Sequence, residues 1–173
     1  MRSVYLLVDI LIAIGLLSLA AVSLTRGGHK NLVNKIFAGF SFLTALWILS
    51  NNISNDVRLS STIALYADYV VFASSFGVML LLMQFILILT NANKLGAFIK
   101  KMLIPLWVLC FASATPLVVA GVTIQDNVYA VIFGPLTWLY ALVLFAMAGI
   151  TLYALYHGLR HLKGIARRRV RSI

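Results

Sequence analysis

Two aspartates, Asp9 and Asp68, stand inside long apolar stretches of this 173-residue chain. An ionisable group in such a setting is costly to place away from water, so it marks a functional position by default. Asp9 falls about five residues into the first stretch and Asp68 about seven into the third. At about 1.5 Å of helical rise per residue, these are similar depths of roughly 8 and 10 Å. The end of the second stretch adds Trp47, Asn51 and Asn52 at that level. Tyr69 follows Asp68, and Tyr129, Thr137, Trp138 and Tyr140 come from the last stretch. Together Asp9, Asp68, Trp47, Asn51, Tyr69, Trp138 and Tyr140 form a candidate ligand-binding set, a few polar groups in an apolar wall. A carboxylate there would serve as counter-charge to a cation or a polar ligand. The bland alternative is that each aspartate is protonated, or bonds a neighbouring hydroxyl or amide, and only fixes helix packing. A pair of aspartates also suits intramembrane hydrolysis, with one as acid and the other as base, but no Gly-rich setting accompanies either of them. No catalytic residue, cofactor or metal site is therefore expected.

The elements that must hold these residues are membrane helices. Hydrophobic residues make up 62% of the chain, charged residues 10%, and mean hydropathy is +1.02. A soluble domain is nearer one-quarter charged. Five stretches, at about 4–25, 34–52, 62–91, 98–122 and 128–158, reach the roughly 20 residues a spanning helix needs. None alternates with the period of a barrel strand. The expected fold is an all-α polytopic bundle of five spans over 1–159, followed by a basic tail over 160–173. Pro105 and Pro116 are expected to kink the fourth helix, and Pro135 the fifth.

The basic residues set an orientation. Arg26, Lys30 and Lys35 follow the first stretch, and Lys94, Lys100 and Lys101 follow the third. Arg160, Lys163, Arg167, Arg168, Arg169 and Arg171 follow the fifth; only Arg2 and Arg58 fall on the other side. The positive-inside rule then puts the amino terminus outside and the carboxyl terminus in the cytoplasm of a multi-pass cell-membrane protein. The net charge of +10 reads as basic loops facing anionic lipid headgroups, not as a nucleic-acid surface. The helical spacing of the terminal arginines predicts that helix five continues as a stalk beyond the bilayer.

Other polar residues read as structural. Gln84, with Ser74, Ser75 and Gly77, suits helix-to-helix packing. His157 and His161 lie four apart with no third ligand, and Cys110 is a lone small hydrophobe.

The order of motifs resembles a known family. Asn34-Lys-Ile-Phe-Ala-Gly-Phe-Ser-Phe-Leu-Thr-Ala-Leu-Trp47 follows a basic turn, and Phe133-Gly-Pro-Leu-Thr-Trp138-Leu-Tyr140 opens the fifth stretch. Both are similar to segments of the seven-helix amino-terminal sensor region of bacterial and archaeal histidine kinases. The exit through Arg160 to Arg171 is similar to that region's turn toward its sixth helix. The segment from Ala64 to Phe72 departs from the pattern, and the last two helices and an output domain are missing. The resemblance implies a sensory input domain, a fragment of a two-component receptor without enzyme activity of its own. Its ligand would be small or lipidic, and a homodimer is compatible with that role. A small transporter or channel component, or an accessory subunit that docks through its basic tail, are the alternatives.

Overall fold

The computed structural model describes residues 2–26, 32–90, 93–125 and 128–171. The chain forms α1 (Arg2–Arg26), α2 (Leu32–Ser54), α3 (Ser61–Leu89) and α4 (Asn93–Ala112). A two-stranded antiparallel hairpin follows, β1 (Val119–Gln125) and β2 (Val128–Phe133), and then α5 (Thr137–Arg171). The segments Leu6–Thr25, Leu32–Ser54, Ser61–Leu89 and Thr137–Gly158 are long and apolar enough to cross a membrane, and Lys101–Ala112 is a shorter apolar helix. The protein is a mostly helical membrane protein.

Helix α3 is the hub. It packs against α2, α4, α5 and both strands, whereas α1 packs on α2. Phe76, Leu80 and Met83 of α3 are fully buried against Cys110 and Ile99 of α4, Tyr140, Met147 and Ala154 of α5, and Val118 and Val119. Gly77 is where three helices converge. A Cβ built there would lie 2.6 Å from Leu43 Cδ1 of α2 and 3.8 Å from Cys110 Sγ of α4. Small residues permit such close approach where no hydrophobic effect drives helices together. Ser60 caps α3, its Oγ accepting from the Ile63 N–H at 3.4 Å.

The structure departs from the expected fourth and fifth spans. Helix α4 stops at Ala112, and residues 119–122 and 128–133, expected as helix, are strand, the first strand running on to Gln125. Pro116 and Pro135 consequently lie in turns, not inside helices; only Pro105 is within a helix. The reason is local. Val118, Val119, Val122, Thr123, Ile124, Val128, Val131 and Ile132 are β-branched residues that lose rotamer freedom in a helix and suit a pleated surface. Pro116 removes a backbone donor as the helix would resume.

The base of the hairpin is stitched shut. The Gly134 N–H donates to Val118 O and the Leu136 N–H to Leu117 O, both at 2.8 Å, and Thr137 Oγ1 donates to Val118 O at 2.7 Å. A Cβ on Gly134 would lie 2.6 Å from the Leu117 carbonyl carbon, so the chain can close here only on glycine. Val119 pairs with Phe133 and Gly121 with Ile132, which leaves Ala120 as a bulge. Toward the other end of the hairpin, the Tyr129 hydroxyl donates to Leu59 O of the α2–α3 turn at 2.7 Å.

Three contacts fix the helices in height. Ser54 of α2 faces the carboxyl group of Asp68 of α3. Tyr140 Oη of α5 lies 2.7 Å from Ser75 Oγ and 3.1 Å from Phe72 O of α3. Gly158 of α5 abuts the Thr90 side chain at the end of α3. From Asp68 to Thr90 is about 33 Å of helix, matching about 33 Å for α2 and about 32 Å from Thr137 to Gly158. Residues 61–67 of α3 extend beyond this common length.

Candidate functional site

The site grows from the end of α2. Its last two turns carry Trp47, Asn51, Asn52 and Ser54, and Asn55 follows where the helix runs out. Asn52 turns toward α1. Its Nδ2 donates to Asp9 Oδ2 at 3.1 Å and to Ile48 O at 3.0 Å. Because a carboxylate only accepts, this bond settles which end of the amide faces Asp9. Two residues on, Ser54 is turned toward α3. Its hydroxyl donates to Asn51 O at 3.1 Å and meets the carboxyl group of Asp68.

The two aspartates therefore lie on opposite flanks of α2, Asp9 hydrogen-bonded to Asn52 and Asp68 facing Ser54. Asp68 is buried, with 6% of its surface exposed. Asp9 is half-buried and lines a groove of about 180 Å³ with Trp47, Ile48, Asn51 and Asn52.

Of the candidate set read from the sequence, the structure brings Asp9, Trp47 and Asn51 together. Asp68, Tyr69, Trp138 and Tyr140 do not line this groove. Tyr69 packs edge-on against Tyr66, with ring centroids 5.9 Å apart. Tyr140 is buried in the α3–α5 contact between Phe72 and Phe76. Trp138 is 87% exposed near the start of α5. Thr137 belongs to the hairpin base and Tyr129 to the hairpin's tie to Leu59.

Ser54, the partner of Asp68, is the residue that sequence reasoning missed. Its signal was the run Asn51-Asn52-Ile53-Ser54-Asn55, too polar for a helix interior and longer than one pair of asparagines requires.

No family model, curated protein or solved structure matches this chain. The resemblance to the kinase sensor region rests on the motifs quoted above.

Elsewhere, Gln84 Nε2 is buried without a hydrogen-bond partner among the described residues. The His157 ring packs on Tyr153 with centroids 5.8 Å apart. Helix α5 carries Arg160, Lys163, Arg167, Arg168, Arg169 and Arg171 as one continuous helix.

Proposed function

We propose that the chain is the membrane-embedded input domain of a signal-transduction protein of the histidine-kinase type. The observation that carries this reading is α5. It runs unbroken from the hairpin base to Arg171, and α3 grips it at Tyr140 and again at Gly158. A rigid rod held at two heights by one partner helix reports any shift of that partner at its far end. Helix α3 is in turn the neighbour of α2, which lines the polar groove with α1. A ligand in the groove would bias the α1–α2 packing, and the bias would pass through α3 to α5. Such a device requires two packings that the ligand distinguishes.

The bilayer fits the slab of about 30 Å shared by the four long helices. In this placement the groove, Asp68 and the start of α5 lie at the outer headgroup level. The hairpin, whose edge groups hydrocarbon could not satisfy, lies above the membrane. The basic residues Lys35 and Lys101 and the stalk from Arg160 face the cytoplasm and its anionic lipids. The fragment reading and the dimer complete the proposal: an output module would follow α5, and two copies would transmit together.

The test is a chimera that joins α5 in register to a kinase core lacking its own input region. Asp9→Asn and Asp68→Asn should each shift autophosphorylation in proteoliposomes at least threefold. Unchanged phosphorylation with both variants folded would remove the reading. Ion flux through proteoliposomes of the 173-residue chain, lost on Asp9→Asn, would favour the transporter alternative.

A further inference from the structure

We propose that the α1–α2 groove binds a small organic ammonium ion, with Asp9 as its counter-charge and Trp47 as its aromatic wall. This rests on the reading of the groove as the input site and names the class of ligand it takes.

The sign of the ligand follows from the lining. Asp9 is the one charged residue among the groove's five, and no cation stands within ion-pair reach of it among the described residues. The hydrogen-bond inventory gives the same answer. Asn52 Nδ2 is spent on Asp9 Oδ2 and Ile48 O, so Asp9 Oδ1 and Asn52 Oδ1 remain as acceptors without partners among the described residues. An anion would meet a carboxylate and free acceptors. A primary ammonium supplies donors and positive charge to both, and a quaternary one supplies the charge.

The wall and the size exclude a bare metal ion. Calcium-like cations require six or more oxygens, whereas this groove offers one carboxylate, two amides, an indole and an isoleucine. Trp47 is 41% exposed, which leaves its indole available to a ligand. Tryptophan is the aromatic ring that attracts cations most strongly, and a quaternary ammonium needs no hydrogen-bond acceptor to bind there. The volume of about 180 Å³ is below the range of drug-sized pockets. That suits an amine with the bulk of ethanolamine or choline. At the headgroup level such an amine arrives either free in water or as part of a phospholipid.

The experiment is equilibrium binding of radiolabelled choline and ethanolamine to the full chain in nanodiscs of phosphatidylglycerol. Saturable binding is expected, competed by unlabelled amine and not by an equal concentration of potassium. Asp9→Asn keeps the acceptor for Asn52 and removes the charge, so affinity should fall at least tenfold. Trp47→Leu should weaken choline several-fold, and Trp138→Leu, remote from the groove, should leave binding unchanged. Nanodiscs containing phosphatidylethanolamine separate the sources. Loss of choline binding there means that lipid headgroups hold the site; unchanged binding means a free amine does. Either result supports the proposal. It is overturned if no saturable binding is seen, if potassium competes as well as ethanolamine, or if folded Asp9→Asn protein binds as wild type. Should Asp9→Asn not fold, wild-type affinity in Trp47→Leu overturns it. Binding that leaves the chimera's phosphorylation unaltered removes the sensor reading alone, and a responsive chimera without amine binding removes the ammonium site alone.

Discussion

Asn52 of α2 donates its side-chain amide to Asp9 of α1 at 3.1 Å, while Ser54, two residues further along, meets Asp68 of α3. One helix end thus holds two carboxyl groups on opposite flanks. Interhelical polar contacts in membranes contribute about 0.6 kcal/mol each, up to about 1.7. A double-mutant cycle of Asp9→Ala and Asn52→Ala should give a coupling in that range. The cycle of Asp68→Ala and Ser54→Ala should give less, because the Ser54 hydroxyl is already donated to Asn51 O, and the two cycles should add, because they share no partner. Unfolding in mixed micelles measures both.

Gly158 and Gly149 lie on the same helix in opposite surroundings. A Cβ at Gly158 would run into the Thr90 side chain, while nothing lies within 4 Å of one at Gly149. Gly158→Ala should destabilise by about 1–3 kcal/mol through overpacking, and Thr90→Ser should restore part of the loss. Gly149→Ala should be neutral or stabilise by up to about 1 kcal/mol through helix propensity. Thermal unfolding of the three variants checks the contrast.

Gly134 faces main chain, and that changes the outcome. Gly134→Ala places a methyl against the carbonyls of Pro116 and Leu117, which no side-chain truncation relieves. The loss should exceed that of Gly77→Ala, where the obstacle is the tip of Leu43 and a rotamer change suffices. Limited proteolysis should cut Gly134→Ala within 113–137 while sparing Gly77→Ala.

Tyr129→Phe removes the bond to Leu59 O and nothing apolar. It should lower stability by about 1 kcal/mol. Amide exchange should speed up in the hairpin and in the turn at 55–60 before it does in α3.

Gln84 Nε2 is buried without a partner among the described residues. Gln84→Met keeps the volume and removes the unsatisfied donor, so it should raise stability by about 1 kcal/mol. A fall instead would mean that water or a second chain serves the amide.

Much of this protein was readable from the order of its residues. The apolar runs ending near Thr25, Ser54 and Leu89 are helices of the expected length, because hydrocarbon leaves the backbone no partner but itself. The polar end of α2 and the matching heights of Asp9 and Asp68 were also readable, since rise per residue is constant. Hydropathy alone did not distinguish the end of α4 from the hairpin. It measures the medium a segment tolerates, and β-branched residues tolerate the same medium in either conformation; the turn at Pro116 and the closure on Gly134 decided between them.

Only the tertiary structure decided which polar groups meet. Asn52 and Ser54 differ by two residues, or about 200° around a helix, so residues adjacent in sequence face different neighbours. That rotation parts Asp9 from Asp68 and turns one expected cleft into a groove on one side of α2 and a buried carboxyl group on the other. The sequence determined that there would be helices, how long they are and at what height their polar residues sit. Rotation about each axis decided the partners, because it is set by the shapes of the helices packed against it.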